Sequence, residues 1–295
     1  MVSGGGQRVT IAGSGRVSGG TYQSVSVAGS GVIEGDVQAK TINTAGSCRF
    51  EGSVKAEEMK TAGSCRVEGD IKAGELQMTG STRIGGRVAA DVFKSAGSQR
   101  IGKKLTAGYI KLSGSCQVGS DVEADKFVSA GSFQVEGLLS ADEVEIRLEG
   151  DCRAKEIGGE RIEVRRKGSF GASFSAEDLK EKLKAKQAQA EEGFEKLRQR
   201  FGIDINIDFG RLAEELGKLG QSFGNLGLHL GGFGGQGRLE VETIEGDQIY
   251  LEATQAETVR GKRVIIGPDC QIEAVEYEEL CEVDESATVA HQQKV

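Results

Sequence analysis

The sequence predicts an all-β fold, a parallel three-faced β-helix with one 17-residue rung per turn, and three observations predict it. The first is a short triplet, Ala-Gly-Ser in its commonest form, that recurs along the N-terminal half of the chain. The first interval between its glycines is slightly shorter than the others, which are all equal, and a fixed period marks a solenoid in which each repeat packs on its neighbours. These glycines are Gly13, Gly29, Gly46, Gly63, Gly80, Gly97, Gly114 and Gly131.

The second observation is that apolar residues recur at fixed places in each repeat. Four residues after the glycine stands Val, Ile or Phe, and further apolar positions follow eight, ten and thirteen residues after it. Polar residues separate these positions, so each repeat holds three short stretches with the period of two that β-strands show. Such strands stack on the equivalent strand of the next repeat, and the bias of parallel crossovers favours a right-handed coil. An alanine column fits a corner where two faces converge: Ala39, Ala56, Ala73, Ala90, Ala107, Ala124 and Ala141.

The composition is the third observation. The 295 residues include 45 Gly, one Pro and no Trp, and 37% are hydrophobic, which fits many tight turns around a thin core of small aliphatic side chains. The net charge of −8 argues against nucleic acid as a partner. No apolar run approaches the roughly 20 residues of a transmembrane helix, and residues 1–8 have no signal-peptide core. We therefore expect a cytoplasmic protein without direct membrane association.

The triplet stops after Ser132 and the period breaks after Ala141, and the rest of the chain changes character twice. Leucines and phenylalanines fall on one helical stripe between 179 and 201, and a second helical candidate covers 211–223. After a Gly-rich run, alternation of apolar and polar residues returns. The predicted organisation is a β-helix over 1–168, a helical insert and Gly-rich linker over 169–237, returning β-helix strands or a cap over 238–281, and a flexible tail over 282–295.

Two charged columns flank the apolar column that follows the triplet. Each charged column lies one residue away from the inward apolar column, so its side chains point outward. Two interpretations stay open: a solvated face whose charges oppose register slips, or a surface for lateral association or a polyanionic ligand. The basic column holds Arg16, Arg49, Arg66, Arg83 and Arg100, and the acidic column holds Glu34, Glu51, Glu68 and Glu136.

Cysteines recur two residues after the triplet glycine, at Cys48, Cys65 and Cys116. This position is two residues before the inward apolar column, so these side chains should also point inward. Cys48 and Cys65 lie on adjacent rungs, so the distance between their Cα atoms suits a disulfide. Their Cβ atoms point in parallel directions, however, which disfavours the bond. Six Cys without a secretion signal indicate reduced thiols, and buried free thiols are the favoured interpretation.

The sequence predicts no catalytic, metal or cofactor site. Its two histidines, His229 and His291, have no partner cluster, and no phosphate-binding loop occurs. Acyltransferases built on hexapeptide β-helices usually use a catalytic His, and the repeats here contain none. We therefore expect a protein that is not an enzyme.

The repeat from Gly63 to Ala73, Gly-Ser-Cys-Arg-Val-Glu-Gly-Asp-Ile-Lys-Ala, resembles those of the bactofilins, bacterial polymer-forming cytoskeletal proteins. The resemblance covers about 10–145, and the blocks at 155–160 and 264–268 look similar to a longer subgroup from Gram-positive bacteria. It implies a right-handed β-helix that associates end to end into filaments without nucleotide and scaffolds other proteins in cell shape, envelope or motility structures. The helical insert and the returning strands depart from the family pattern, and those strands are candidates for capping one end.

The resulting hypothesis is a non-enzymatic scaffold protein that associates with itself, or with a related β-helix protein, through β-helix ends. Open ends expose unpaired backbone groups that stacking satisfies. The N-terminal contact candidates are Val9, Ile11 and Val17. Two alternatives stay open: an adaptor whose helical insert binds another protein, and a β-helix enzyme or carbohydrate binder that uses the charged faces.

Overall fold

Ten β-strands form one parallel sheet, which coils into a β-solenoid of about 11 turns. The computed structural model describes residues 7–167 and 237–295 of the chain. The strands are β1 (Arg8–Phe50), β2 (Val54–Val67), β3 (Ile71–Ile84), β4 (Val88–Ile101), β5 (Leu105–Val118), β6 (Val122–Arg166), β7 (Leu239–Leu251), β8 (Thr254–Ile266), β9 (Gln271–Val283) and β10 (Thr288–Lys294).

Each strand pairs in parallel with its neighbours in chain order, and equivalent repeat positions are partners. Gly46 pairs with Gly63, and Cys48 pairs with Cys65 one rung later. The same register runs through β3, β4 and β5 into β6. The repeat alignment is therefore confirmed, and a column of the alignment is a physical stack of side chains.

Three pairs of inward side chains in each rung give the coil its three faces. Within a pair the two residues are separated by one outward residue, as the pleat of a strand requires. A corner of two or three outward residues separates one pair from the next. In the rung that begins at β2 the buried pairs are Val54 with Ala56, Met59 with Thr61, and Cys65 with Val67. The predicted three-faced all-β solenoid is thus confirmed, while its right-handedness stays a prediction.

Glycine is required at the triplet corner for two reasons. Gly63 has a φ of 108°, in the left-handed region that side chains disfavour. A Cβ atom there would lie 2.4 Å from the carbonyl oxygen of Gly46 on the preceding rung. Because these corners stack so closely, the regular rungs repeat glycine at this place, from Gly29 to Gly131.

The same parallel pairing is found on both sides of the interruption. Cys152 in β6 pairs with Leu239 in β7, and the register continues to the pair Ile162 and Ile249. A Cβ at Gly237 would lie 2.3 Å from the Gly150 carbonyl oxygen, so Gly237 lies directly on Gly150 in the stack of corners. The helical insert and Gly-rich linker predicted over 169–237 lie outside the described residues, except for Gly237.

The C-terminal end differs from the flexible tail expected over 282–295. β9 extends to Val283, and Thr288 to Lys294 form β10, which pairs with β9. The carboxylate of Asp284 accepts hydrogen bonds from the backbone N and Oγ of Ser286, at 2.9 and 2.7 Å, and so organises the turn between these strands. Backbone pairing does not depend on side-chain polarity, which explains why the polar composition of this segment gave little sign of a strand.

Candidate functional site

The predicted N-terminal contact residues all lie in the first rung. Ile11 is buried, and Val9 and Val17 are only partly buried although they pack against the core. The equivalent residues of interior rungs, such as Met59 and Phe50, are fully buried. Val9 and Ile11 form one inward pair, and Val17 lies on the next face. Their role in self-association stays a prediction.

The C-terminal end carries a second set of incompletely covered apolar residues, which the repeat pattern did not predict. Val283 is 39% exposed, and Cys281 and Val289 are partly buried. β10 pairs with Gln271 to Tyr277 of β9 and not with the rest of that strand. The alternation of Cys281, Val283 and Val289 with polar residues was a usable signal, but the surrounding glutamates obscured it.

Outward charges along the solenoid form ion pairs both within a rung and between neighbouring rungs. The Oε1 atom of Glu68 lies 3.0 Å from Nη2 of Arg49 and 2.8 Å from Nε of Arg66. Arg16 pairs with Glu34 in the same way. Half-exposed pairs of this kind contribute less than about 1 kcal/mol each. These contacts support the interpretation as a solvated, register-keeping face, and lateral association stays a prediction.

The aspartate of the Glu-Gly-Asp sequence has a structural task at its corner. Oδ1 of Asp70 accepts a hydrogen bond of 2.7 Å from the backbone N of Arg87, one rung later. Asp36 makes the same contact to the backbone N of Ser53, at 2.7 Å. A carboxylate at this place thus satisfies a backbone donor that the turn would otherwise leave to water.

The cysteine column is longer than the regular repeat indicates. All six cysteines are free, and Cys152 and Cys270 continue the inward column of Cys48 and Cys65 across the interruption. The hydrogen bond with Cys48 and burial raise the pKa of Cys65, and burial raises the pKa of Cys270 to about 11. Reactive thiols need a depressed pKa and access to solvent, so the raised pKa and the burial of Cys65 and Cys270 indicate a packing role for these two residues.

A buried polar cluster lies where β6 ends. Glu252 is 1% exposed, and its carboxylate accepts hydrogen bonds from the Tyr250 hydroxyl at 2.7 Å and from the backbone N of Arg166 at 2.8 Å. The Arg165 guanidinium carbon lies 4.6 Å from the centre of the Tyr250 ring. Burial and the hydrogen bond to Glu252 raise the pKa of Tyr250. The cluster anchors the last residues of β6 at the point where the chain leaves the solenoid.

An open groove of about 850 Å³ runs across the C-terminal rungs. Its floor includes the small inward residues Ala154 and Ala256, and glutamates from successive rungs line it, among them Glu242, Glu257 and Glu273. No group of three His, Cys, Asp or Glu side chains within 7–167 and 237–295 is arranged to hold a metal ion. Over the same residues, no helix is long and apolar enough to cross a membrane.

The stacked parallel rungs define a class of protein, the parallel β-solenoids. Within that class, residues 4–89 match the bactofilin family, which is described as polymer-forming and cytoskeletal. The resemblance seen in the sequence is thus confirmed for this segment.

Two relatives from Bacillus subtilis (strain 168) are also similar to the chain. The uncharacterized protein YhbF is 48% identical over 60 residues, which are 20% of this chain and 26% of YhbF. The uncharacterized protein YhbE is 61% identical over 51 residues, which are 17% of this chain and 22% of YhbE. The matched segments thus span about a quarter of these relatives. No solved structure matches the chain.

Proposed function

We propose that this protein is a non-enzymatic cytoskeletal scaffold that assembles through the ends of its β-solenoid into filaments, without nucleotide. The observation that carries the proposal is the incomplete burial of Val9 and Val17 in a solenoid whose interior rungs bury the same columns fully. Stacking removes this apolar surface from water and gives partners to the strand edges. The match of residues 4–89 to a polymer-forming family supports it.

The six free cysteines support a reducing compartment, and we place the protein in the cytoplasm. Partners are other copies of the chain or a related β-solenoid.

Ile11→Lys tests the role of the N-terminal end. A charge at this buried position remains desolvated in a stacked end, so we expect the variant to assemble at least tenfold less readily, measured by sedimentation and negative-stain electron microscopy. Thr10→Lys, on the exposed face of the same strand, is the matched control. Circular dichroism verifies that both variants keep the solenoid. Wild-type protein that stays monomeric at all concentrations, or that assembles only with nucleotide, contradicts the proposal.

A second candidate function is an adaptor that binds another protein through residues 169–236. One observation favours it: the register passes from Ile162 to Ile249 without disturbance, so the solenoid does not need the intervening segment for its pairing. Replacement of 168–236 with a short Gly-Ser linker should keep the β-sheet spectrum and abolish capture of the partner. Unchanged partner capture by this variant rejects the adaptor function.

A further inference from the structure

Two consecutive rungs in the middle of the regular solenoid lack the outward carboxylates that their neighbours carry. Five residues after the corner glycine, the acidic column passes from Glu68 to Gly85 and then to Gly102. Seven residues after it stand two cations, Arg87 and Lys104, whereas the rungs immediately before and after carry aspartate at this place. The charge of this corner is therefore reversed in these two rungs.

The arginine column continues through the same two rungs without its acidic partners. Arg83 and Arg100 are register partners, and Nε of Arg100 donates a hydrogen bond of 2.8 Å to Oε1 of Gln117. Within residues 7–167 and 237–295, Arg83 and Arg100 make no ion pair, and neither do Arg87 and Lys103. All four cations are exposed. Together they form the basic strip: Arg83, Arg87, Arg100 and Lys103.

The preceding rung shows what fills the gap in this strip when the acidic column is complete. Oε1 of Glu68 bridges two stacked arginines, 3.0 Å from Nη2 of Arg49 and 2.8 Å from Nε of Arg66. The corner at Gly102 has the same backbone geometry, because its N–H and that of Glu68 donate to the equivalent carbonyl of the preceding rung, at 2.8 and 3.0 Å. The stacked arginines of the basic strip thus have the same arrangement, but glycine supplies no carboxylate between them.

We propose that the basic strip is a docking surface for an acidic segment of a partner protein, whose Asp or Glu carboxylates occupy the places beside Gly85 and Gly102. These places lie on adjacent rungs, about 4.8 Å apart, so one segment reaches both. Each carboxylate accepts charge-assisted hydrogen bonds from stacked guanidinium groups, as Glu68 does within the chain. The strip lies on the side of the solenoid and not at its ends, so the proposal does not depend on self-association.

A short acidic segment suits the strip better than an extended polyanion does. The strip covers only two rungs and is bounded by Asp70 and Asp121, and residues 238–295 hold 14 Asp and Glu against 5 Lys and Arg. A nucleic acid or an anionic membrane would also meet these carboxylates, whereas a short segment is screened from charges beyond about 8 Å. Residues 83–89 and 100–106 include no aromatic side chain for base stacking.

Binding of a fluorescent oligoglutamate peptide, followed by fluorescence anisotropy, tests this docking surface. Wild-type protein should bind the peptide, and an oligoglutamine peptide of the same length should not bind. Arg83→Gln combined with Arg100→Gln removes both stacked guanidinium groups, and we expect the affinity for oligoglutamate to fall by about tenfold or more. Circular dichroism verifies that the variant keeps the solenoid, which is expected because both side chains are exposed.

Arg16→Gln combined with Arg49→Gln is the matched control. It makes the same change of charge in the same column, but carboxylates of the chain already pair with these arginines, so the affinity should change by less than about twofold.

Four outcomes overturn the proposal: no binding by the wild-type protein, equal losses in the two double variants, binding of inorganic polyphosphate or phosphatidylglycerol vesicles but not of oligoglutamate, or loss of self-association in the Arg83 and Arg100 variant with unchanged peptide binding. The last outcome assigns the strip to a second copy of the chain. Failure of the proposed function is distinguishable, because wild-type protein then sediments as single copies whether or not it binds the peptide.

Discussion

The N-terminal and C-terminal rungs solve the same stacking problem in different ways. In β2 to β5 every rung has the same length, and the corner glycines have positive φ. In β7 and β8 the rung is shorter, as in the step from Leu239 to its partner Thr254, and the register shifts once between β8 and β9. Corners here use Ala253 and Asp269 at positive φ instead of glycine. Stacking thus requires inward apolar columns and compatible corners. An identical repeat is one way to provide them, but it is not necessary.

Truncation of a buried side chain is expected to have the largest effect on stability, and its size should differ between the N-terminal and the C-terminal rungs. Phe93 in the N-terminal rungs and Val264 in the C-terminal rungs are both fully buried. Phe93→Ala should destabilise the fold by about 3–5 kcal/mol, since it leaves a large cavity. Val264→Ala removes less volume, and we expect about 2 kcal/mol. Denaturant unfolding followed by circular dichroism measures both. Equal losses contradict a cost that is set by the volume removed from the core.

Corner glycines should come next in order of effect. Gly63→Ala combines a left-handed φ with a Cβ placed 2.4 Å from a backbone oxygen, so we expect a loss of roughly 2–3 kcal/mol. Gly158 in β6 is the matched control, because its Cβ would come no closer than 3.9 Å to Leu138. Gly158→Ala should change stability by less than about 1 kcal/mol. Comparable thermal shifts for the two variants count against the role assigned to the triplet corner.

Two carboxylates that accept a backbone N–H provide a third, smaller test. Glu252→Ala leaves the buried Tyr250 hydroxyl and Arg166 N–H without this acceptor, and we expect a loss of about 1–3 kcal/mol. Asp70→Ala removes the corresponding acceptor of Arg87 at an exposed corner, where water replaces it, and should cost less than about 1 kcal/mol. A larger loss for Asp70→Ala in chemical denaturation is the contrary outcome.

The turn before β10 should give the smallest effect, visible as a pH dependence. The hydroxyl and backbone N of Ser286 donate to Asp284 and hold the pKa of its carboxyl below the ordinary value. A depressed folded-state pKa adds stability that is present above the ordinary Asp pKa of about 3.9 and is lost as the pH falls through the folded-state pKa. Amide exchange in β10 should therefore accelerate below about pH 4. Asp284→Asn should abolish this acid-dependent step, and its persistence in that variant assigns it to another group.

The repeat made the fold and the inward columns predictable, because Val67 or Phe93 has only one buried orientation once the period of two is fixed. The cysteine column was recognised only in part, because the step from Phe133 to Cys152 is longer than the regular repeat and counting by that repeat loses the column there. Glu252, in the bend between β7 and β8, gave no signal, since a lone glutamate normally points outward. Its burial depends on Tyr250 and on Arg166, 86 residues away along the chain, which no local pattern connects.

The candidate contact surface was half predictable for a related reason. Val9, Ile11 and Val17 lie in a rung with clear alternation, whereas Val283 lies among glutamates in the segment 282–295 that suggested a flexible tail. A sequence pattern reports which residues face inward, but it does not report how completely the neighbouring rungs cover them.

The 87-residue step between Arg153 and its partner Glu240 has a kinetic consequence. Rungs on either side of it join segments that are close along the chain, so each region can form by successive addition of one turn. The junction between β6 and β7 requires closure of a far longer chain segment before any pairing is gained, and such non-local closure is slow. We therefore expect the N-terminal coil to form first during synthesis, and the C-terminal rungs to be added last.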